Sequence, residues 1–306
     1  MSRAKIYWML VAVMFTWGAN VPMLKFIGTH VPPATVTGVR ILMAGCAVFI
    51  ILKFMGILRK PTKREWGYIL AGSFTNVLIH HLFLNLGLAE TSATSGGLIL
   101  GTGPILTAIA AAIFLKYFPS VFQWLGLVLG ITGVTIAVLV GSEGLDTGRG
   151  DFFVFISILS QVLSYMIVSK AARTLDPRVM TAYMMVTGSF GLIAVSLVLE
   201  PSGMLQFLDA PPVFWLVFLT SGLLSTAVGH MIYNYAIGQA GATQSAIFMN
   251  LNPLFAMILS SLFLGEVLTW RHFVGFVLIV AGVMLGSGAA EDLYKKRYKR
   301  RVTPRL

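Results

Sequence analysis

Hydrophobic residues run along this chain in long, nearly unbroken blocks rather than in the alternation of half-buried strands. A helix needs about 20 mostly apolar residues to cross a hydrocarbon core. Blocks of roughly that length lie near Ile6–Leu24, Ala34–Ile57, Trp66–Ala89, Thr94–Leu115 and Val121–Val140. Five more lie near Phe152–Ala171, Met180–Leu199, Val213–Ile237, Thr243–Leu264 and Phe273–Ser287. Breakers stand between them, among them Val31-Pro32-Pro33, Arg59-Lys60-Pro61, Phe118-Pro119, Asp176-Pro177 and Pro211-Pro212. Membrane strands are excluded, because such strands are half as long and alternate apolar with polar. The pattern predicts an all-α polytopic membrane protein of ten transmembrane helices.

Of the 306 residues, 57% are hydrophobic and only 11% charged. A soluble domain carries about 25% charged residues, so lipid is the expected solvent. The lone Cys46 excludes a disulfide framework within the chain and a multi-cysteine metal site. No metal or cofactor is expected. A net charge of +11 would suggest nucleic acid in a soluble protein, but the placement of the charge says otherwise. With the N-terminus inside, all but four of the 22 lysines and arginines fall in inner segments or in the tail. The exceptions are Lys25, Arg149 and Arg271 in outer loops and Arg40 within the second helix. This positive-inside bias predicts cytoplasmic N- and C-termini and an even number of spans. Membrane lipids are then the expected surroundings, with no nucleic acid and no obligate protein partner. The basic tail either touches anionic headgroups or is simply solvated.

The chain also repeats itself. At a constant offset Trp66 pairs with Trp215, His81 with His230, Asn85 with Asn234, Pro104 with Pro253, Gly126 with Gly275 and Gly133 with Gly282. Prolines, glycines, histidines and tryptophans do not coincide at one offset by chance. The expected units are residues 1–145 and 151–290, followed by a basic tail at 291–306. Five helices is an odd number, so the second unit starts on the opposite side of the membrane from the first. The two five-helix repeats are therefore inverted, the architecture by which carriers alternate access around a site near the midplane.

Several segments are similar to the drug/metabolite transporter superfamily in its ten-helix form with two EamA-type repeats. Trp17-Gly18-Ala19-Asn20 followed by Lys25 resembles that family's helix 1 opening, and Arg40 with Ala44 resembles its helix 2 arginine. Pro253, then Leu264-Gly265-Glu266 with Leu268-Thr269, then Gly275 and Gly282-Val283 resemble its last two helices. The first half departs from this, with Lys116-Tyr117 where the second has Gly265-Glu266. The resemblance implies a metabolite or amino-acid exporter in a plasma membrane, the inner membrane of a prokaryote. Members of this layout include aromatic amino-acid exporters.

Polar side chains inside a membrane face a cavity or another helix. His81 and Asn85 are four residues apart and share a face of helix 3, as His230 and Asn234 do on helix 8. Each set either lines a cavity or clasps a neighbouring helix. Trp17 and Asn20 of helix 1, Gln161 and Tyr165 of helix 6, Tyr233 of helix 8, and Gln244 and Asn250 of helix 9 complete the expected substrate cavity. Aromatic faces and amides suit an amphipathic zwitterion as small-molecule substrate. Pro104 with Gly101, and Pro253, are expected hinges, since each proline frees a carbonyl one turn earlier; a static kink is the alternative. Gly126-x-x-x-Gly130 and Gly282-x-x-x-Gly286 permit close helix contact, expected within the chain rather than between copies. Arg40 either snorkels outward or meets a substrate carboxylate.

All eleven acidic residues fall in loops or at span ends. Ion-coupled carriers usually place a carboxylate in the membrane, so facilitated diffusion or exchange is expected, with a proton-coupled exporter working through histidines as the alternative. A channel is a further rival. Gly148-Arg149-Gly150-Asp151 matches the Gly-x-Gly-Asp of intramembrane aspartyl proteases, but no second aspartate lies in any span to share its proton. No phosphate-binding Gly-Lys-[Ser/Thr] loop is present, and the chain is not expected to be an enzyme.

Overall fold

The computed structural model describes residues 2–91, 99–138, 148–264 and 270–287. The Gly265-Glu266-x-Leu268-Thr269 motif, residues 139–147 of the loop between the halves, the basic tail and the Lys25 side chain lie outside the described residues. Helices α1 (Arg3–Gly28) and α2 (Pro33–Phe54) come first. A rod follows in which α3 (Lys63–Gly72) and α4 (His80–Glu90) are joined without interruption by π-helical turns at Ser73–Ile79. Next are α5 (Gly103–Leu115), α6 (Val121–Val138), α7 (Arg149–Ala171), α8 (Pro177–Leu199) and the short α9 (Gly203–Leu208). A second rod joins α10 (Pro212–Thr220) to α11 (Gly229–Ala240) through π turns at Ser221–Val228. The chain continues through α12 (Ala242–Ile247), one 3-10 turn at Phe248–Asn250, α13 (Leu251–Leu264) and α14 (Trp270–Gly286).

Among the described residues there is no strand. Among the same residues seven helices are long and apolar enough to cross a membrane, and three shorter apolar helices coincide with predicted helices 4, 5 and 10. Local chemistry explains where the helices begin. Prolines open α2, α8 and α10, where a missing N–H costs nothing. Thr62 and Glu65 form a reciprocal capping box on α3. The N-terminus of α2 is capped from a distance: the Glu200 carboxylate accepts from Ala34 N (3.0 Å), Thr35 N (2.7 Å) and the Thr35 hydroxyl (2.8 Å). At the opposite end of the bundle, Arg59 grips both oxygens of Glu65 and donates to Thr174 O at 2.8 Å, joining the loop after α2 to the turn before α8. In that turn burial pushes the Asp176 carboxyl up, but hydrogen bonds from Arg178 outweigh it and hold the group below the usual carboxylate range.

The tightest packing is between α6 and α14. A Cβ on Gly126 would stand 2.5 Å from Gly282 O, and one on Gly133 would stand 2.7 Å from Gly275 O. These contacts are reciprocal, because Gly126 is the repeat mate of Gly275 and Gly133 the mate of Gly282. Reciprocity of this kind is the mark of a two-fold relation. The two helices run antiparallel, with their backbones touching. The paired α2 and α8 are also antiparallel, with Gly38 against Ile193 and Gly45 against Val186. The glycine patterns therefore serve packing within the chain. Inside, Leu10, Met14, Ile41, Leu52, Met180 and Leu192 are fully buried, while Phe54, Phe74, Phe190, Leu216 and Leu262 face outward, as side chains against lipid do.

Replacing Gly282 by leucine drives a side chain into the Gly126 carbonyl and the Gly130 backbone. Overpacking costs about 1–3 kcal/mol where side chains yield, and backbone yields less. The G282L variant is expected to be destabilised by at least that margin and so to melt at a lower temperature than wild type in detergent, whereas G148L, in open space, is expected to match wild type.

Candidate substrate site between the two rods

A π turn shifts the helix register and leaves a carbonyl without its i+4 partner. The bond passes to the i+5 N–H, as where Thr75 O accepts from His80 N, and the carbonyl's second lone pair is open to another donor. Both rods carry their π turns at mated positions, and in both a helix from the other half supplies the donor. On the first rod, the Ser160 hydroxyl of α7 donates to Thr75 O at 2.8 Å, and the Ser157 hydroxyl donates to His80 O at 2.9 Å. On the second, the Trp17 indole N–H of α1 donates to Ser225 O at 2.9 Å, while the Ser225 hydroxyl donates to Thr16 O. Further bonds seal each seam: the Asn76 amide donates to the Ser164 hydroxyl at 2.7 Å, and the Ser221 hydroxyl donates to the Asn20 side-chain Oδ1 at 2.6 Å.

Between the seams lies a cluster of imidazoles and aromatic rings. His80 and His81 are 4.8 Å apart, His81 and His230 are 6.2 Å apart, and Trp17 lies 5.0 Å from His230 and 5.1 Å from Tyr233. Tyr233 continues to Tyr165 at 5.3 Å, whose hydroxyl reaches the Met249 sulfur at 3.8 Å. Gln161 touches His80 across 2.9 Å between Nε2 atoms. Trp17, Asn20, Gln161, Tyr165, His81, His230 and Tyr233, singled out from the sequence, thus come together. Asn85 and Asn234 take a different post. Each donates to a threonine hydroxyl at 2.9 Å, Thr37 on α2 and Thr181 on α8, as mated clasps between helices.

Arg40 does not snorkel. It is only 4% exposed, and its Nη1 donates to the Thr226 hydroxyl on the second π segment. Its Nε has no hydrogen-bond partner among the described residues. His81 and His230 stand within electrostatic reach of it. Every carboxylate among the described residues sits at a helix end, and none of them neutralises this buried guanidinium. A buried charge without a counter-charge is costly, and an anionic group on a solute would remove that cost.

Pro104 and Pro253 each stand in the first turn of a helix segment, directly after a break at Thr102 and at the 3-10 turn Phe248–Asn250. Gly101 abuts Val134 of α6. Asn250 is buried against Gly130, with neither end of its amide hydrogen-bonded among the described residues. Gln244 lies away from the ring cluster, in the wall of a separate cavity at the ends of α5, α7 and α11.

The sequence reading missed His80, the π turns and the serines that bridge to them. His80 was hidden because its repeat mate is Gly229, so it breaks the pattern that exposed His81. The serines and threonines recurring at Ser73–Thr75 and Ser221–Thr226 were the available signal.

Apolar helices around a buried, acid-free polar cluster define an integral membrane protein built like a small-solute carrier. The family identity is direct: the EamA-like transporter family matches residues 4–139 and again 148–287, and the chain belongs to that family. It is a secondary transporter of the drug/metabolite superfamily, and its relatives are transporters rather than enzymes. The uncharacterized transporter YyaM of Bacillus subtilis (strain 168) is 29% identical over 294 residues, covering 94% of this chain and 95% of that protein. A protein of Streptantibioticus cattleyicolor named "Probable terminal-alkyne amino-acid exporter" is 25% identical, covering 93% of this chain and 94% of its own length. A crystal structure 15% identical in sequence shares the fold, with a TM-score of 0.81 over 95% of this chain and 99% of that one.

The seam at Gly229 makes a test of the geometry. A Cβ there would lie 2.7 Å from Trp17 Nε1. G229A is expected to break the Trp17–Ser225 bond and cut flux in proteoliposomes about tenfold, and W17F G229A is expected to recover part of the loss. Equal flux for wild type and G229A would contradict this arrangement.

Proposed function

We propose that the chain is an alternating-access carrier that exports small amphipathic metabolites, amino acids and aromatic ones among them, by facilitated diffusion or exchange. The proposal includes ten transmembrane helices in two inverted halves (1–145 and 151–290), cytoplasmic termini and residence in a plasma membrane. The observation that carries it is the buried Arg40, bonded to Thr226 and unneutralised by any described carboxylate, on the π segment next to the His81–His230–Trp17 ring cluster. In this reading a substrate carboxylate binds Arg40, and an apolar or aromatic side chain lies against Trp17 and Tyr233. Pro104 with Gly101, and Pro253, act as hinges as the halves exchange conformation. Similarity to a relative named as an amino-acid exporter supports the substrate class.

The test is flux of the twenty amino acids in proteoliposomes, with and without a pH gradient. A facilitator moves its substrate down the substrate's own gradient at either setting, with saturation and counterflow. Strict dependence on the pH gradient would replace this reading with proton-coupled export, which the His80–His81–His230 row favours. Unsaturable conductance would replace it with a channel.

A further inference from the structure

We infer that a second amino-acid site, resting on the reading above, lies at the cytoplasmic mouth, in the cavity enclosed by the ends of α5, α7 and α11. The cavity measures about 200 Å³, and Tyr117, Ser169, Arg173, Ala240, Thr243 and Gln244 stand in its wall. That is below the roughly 300–1,000 Å³ of sites for drug-sized ligands and suits one small solute.

Its chemistry is two-sided. Arg173 is exposed and makes no ion pair among the described residues, and no wall residue is acidic. A carboxylate is the natural partner of that guanidinium. Three helices terminate at the same place, at Leu115, Ala171 and Ala240. Turn N–H groups take up the carbonyls of Lys170, Ala171 and Ile237, so what these ends offer a cation is the negative end of each helix dipole. Gly241, at φ +94°, turns the chain sharply out of α11, and its N–H is taken up by Ile237 O. Thr243 is buried with a hydroxyl that has no hydrogen-bond partner among the described residues. One guanidinium, the negative ends of three helix dipoles and the unpartnered Thr243 hydroxyl around a small volume match the carboxylate and ammonium of an amino-acid zwitterion. An inorganic anion would use only half of them.

The cavity does not open onto the ring cluster. Tyr165 is one turn before Ser169 in α7, about 6 Å, and Tyr233 is seven residues before Ala240, about 10 Å. Tyr165 and Tyr233, at 2% and 1% exposure, pack with Met249 as a layer between the two. The mouth site therefore receives substrate on one side of this layer while Arg40 waits on the other.

The experiment measures L-phenylalanine transport in oriented proteoliposomes, with substrate supplied at one face at a time. R173Q is expected to raise KM at the cytoplasmic face about tenfold, leaving KM at the outer face and the maximal rate within about twofold. On wild type, N-acetyl-phenylalanine and phenylalanine methyl ester, each lacking one charge of the zwitterion, are expected to compete poorly at the cytoplasmic face. An unchanged cytoplasmic KM in R173Q, or an equal rise at both faces, overturns the mouth site and leaves the carrier reading standing. Absence of saturable phenylalanine flux in wild type overturns both. T243V provides a second variant, expected to weaken cytoplasmic KM in the same one-sided manner.

Discussion

A carbonyl released from a helix inside a membrane has no water to bond to, and this constraint organises the molecule. Each rod gives up regular α-helix for about two turns, at Ser73–Ile79 and at Ser221–Val228. At each segment side chains of the opposite half donate to backbone carbonyls: Ser157 and Ser160 on one side, Trp17 on the other. Such bonds between transmembrane helices are modest in strength, and they add a second donor to carbonyls such as Thr75 O, which already accepts from His80 N. The two halves are thus held together where their helices are irregular, and polar groups accumulate there.

The seams are equivalent in backbone and different in side chains. On the first rod His80 fills the gap opposite α7, with the slender Ser157 and the Gln161 amide against it. On the second the mated position is Gly229, and the indole of Trp17 occupies the space a side chain would have taken. Symmetric helix contacts with exchanged large and small residues leave a cluster with an aromatic side and an imidazole side. The clasps remain paired, Asn85 on Thr37 and Asn234 on Thr181, as does the antiparallel contact of α6 with α14. Frame and site are therefore separable: the frame keeps the repeat, and the site departs from it.

That division explains what was legible in the sequence. Apolar blocks marked the long helices because length and hydropathy alone decide them, and the glycines of α6 and α14 marked both for close packing within the chain because close backbone approach needs a missing side chain. Of the chosen site residues, Trp17, Asn20, His81, Gln161, Tyr165, His230 and Tyr233 converge. Asn85 and Asn234 looked the same in sequence, but an amide four residues from a histidine reads alike as clasp or lining. The π turns left no mark, since register shifts arise from tertiary contacts rather than from local propensity. Burial of Arg40 was equally hidden: six residues from a helix start permits snorkelling, and only the neighbouring Thr226 shows where the guanidinium goes.

The central claim is that the guanidinium of Arg40, unneutralised by any described carboxylate, holds the anionic end of the substrate. Equilibrium binding of radiolabelled L-phenylalanine to purified wild type and R40Q tests it directly. Loss of a charged hydrogen-bonding partner costs about 2–5 kcal/mol, so the account predicts saturable binding to wild type and at least about thirtyfold weaker binding to R40Q. Saturable binding of equal affinity to both proteins would contradict it.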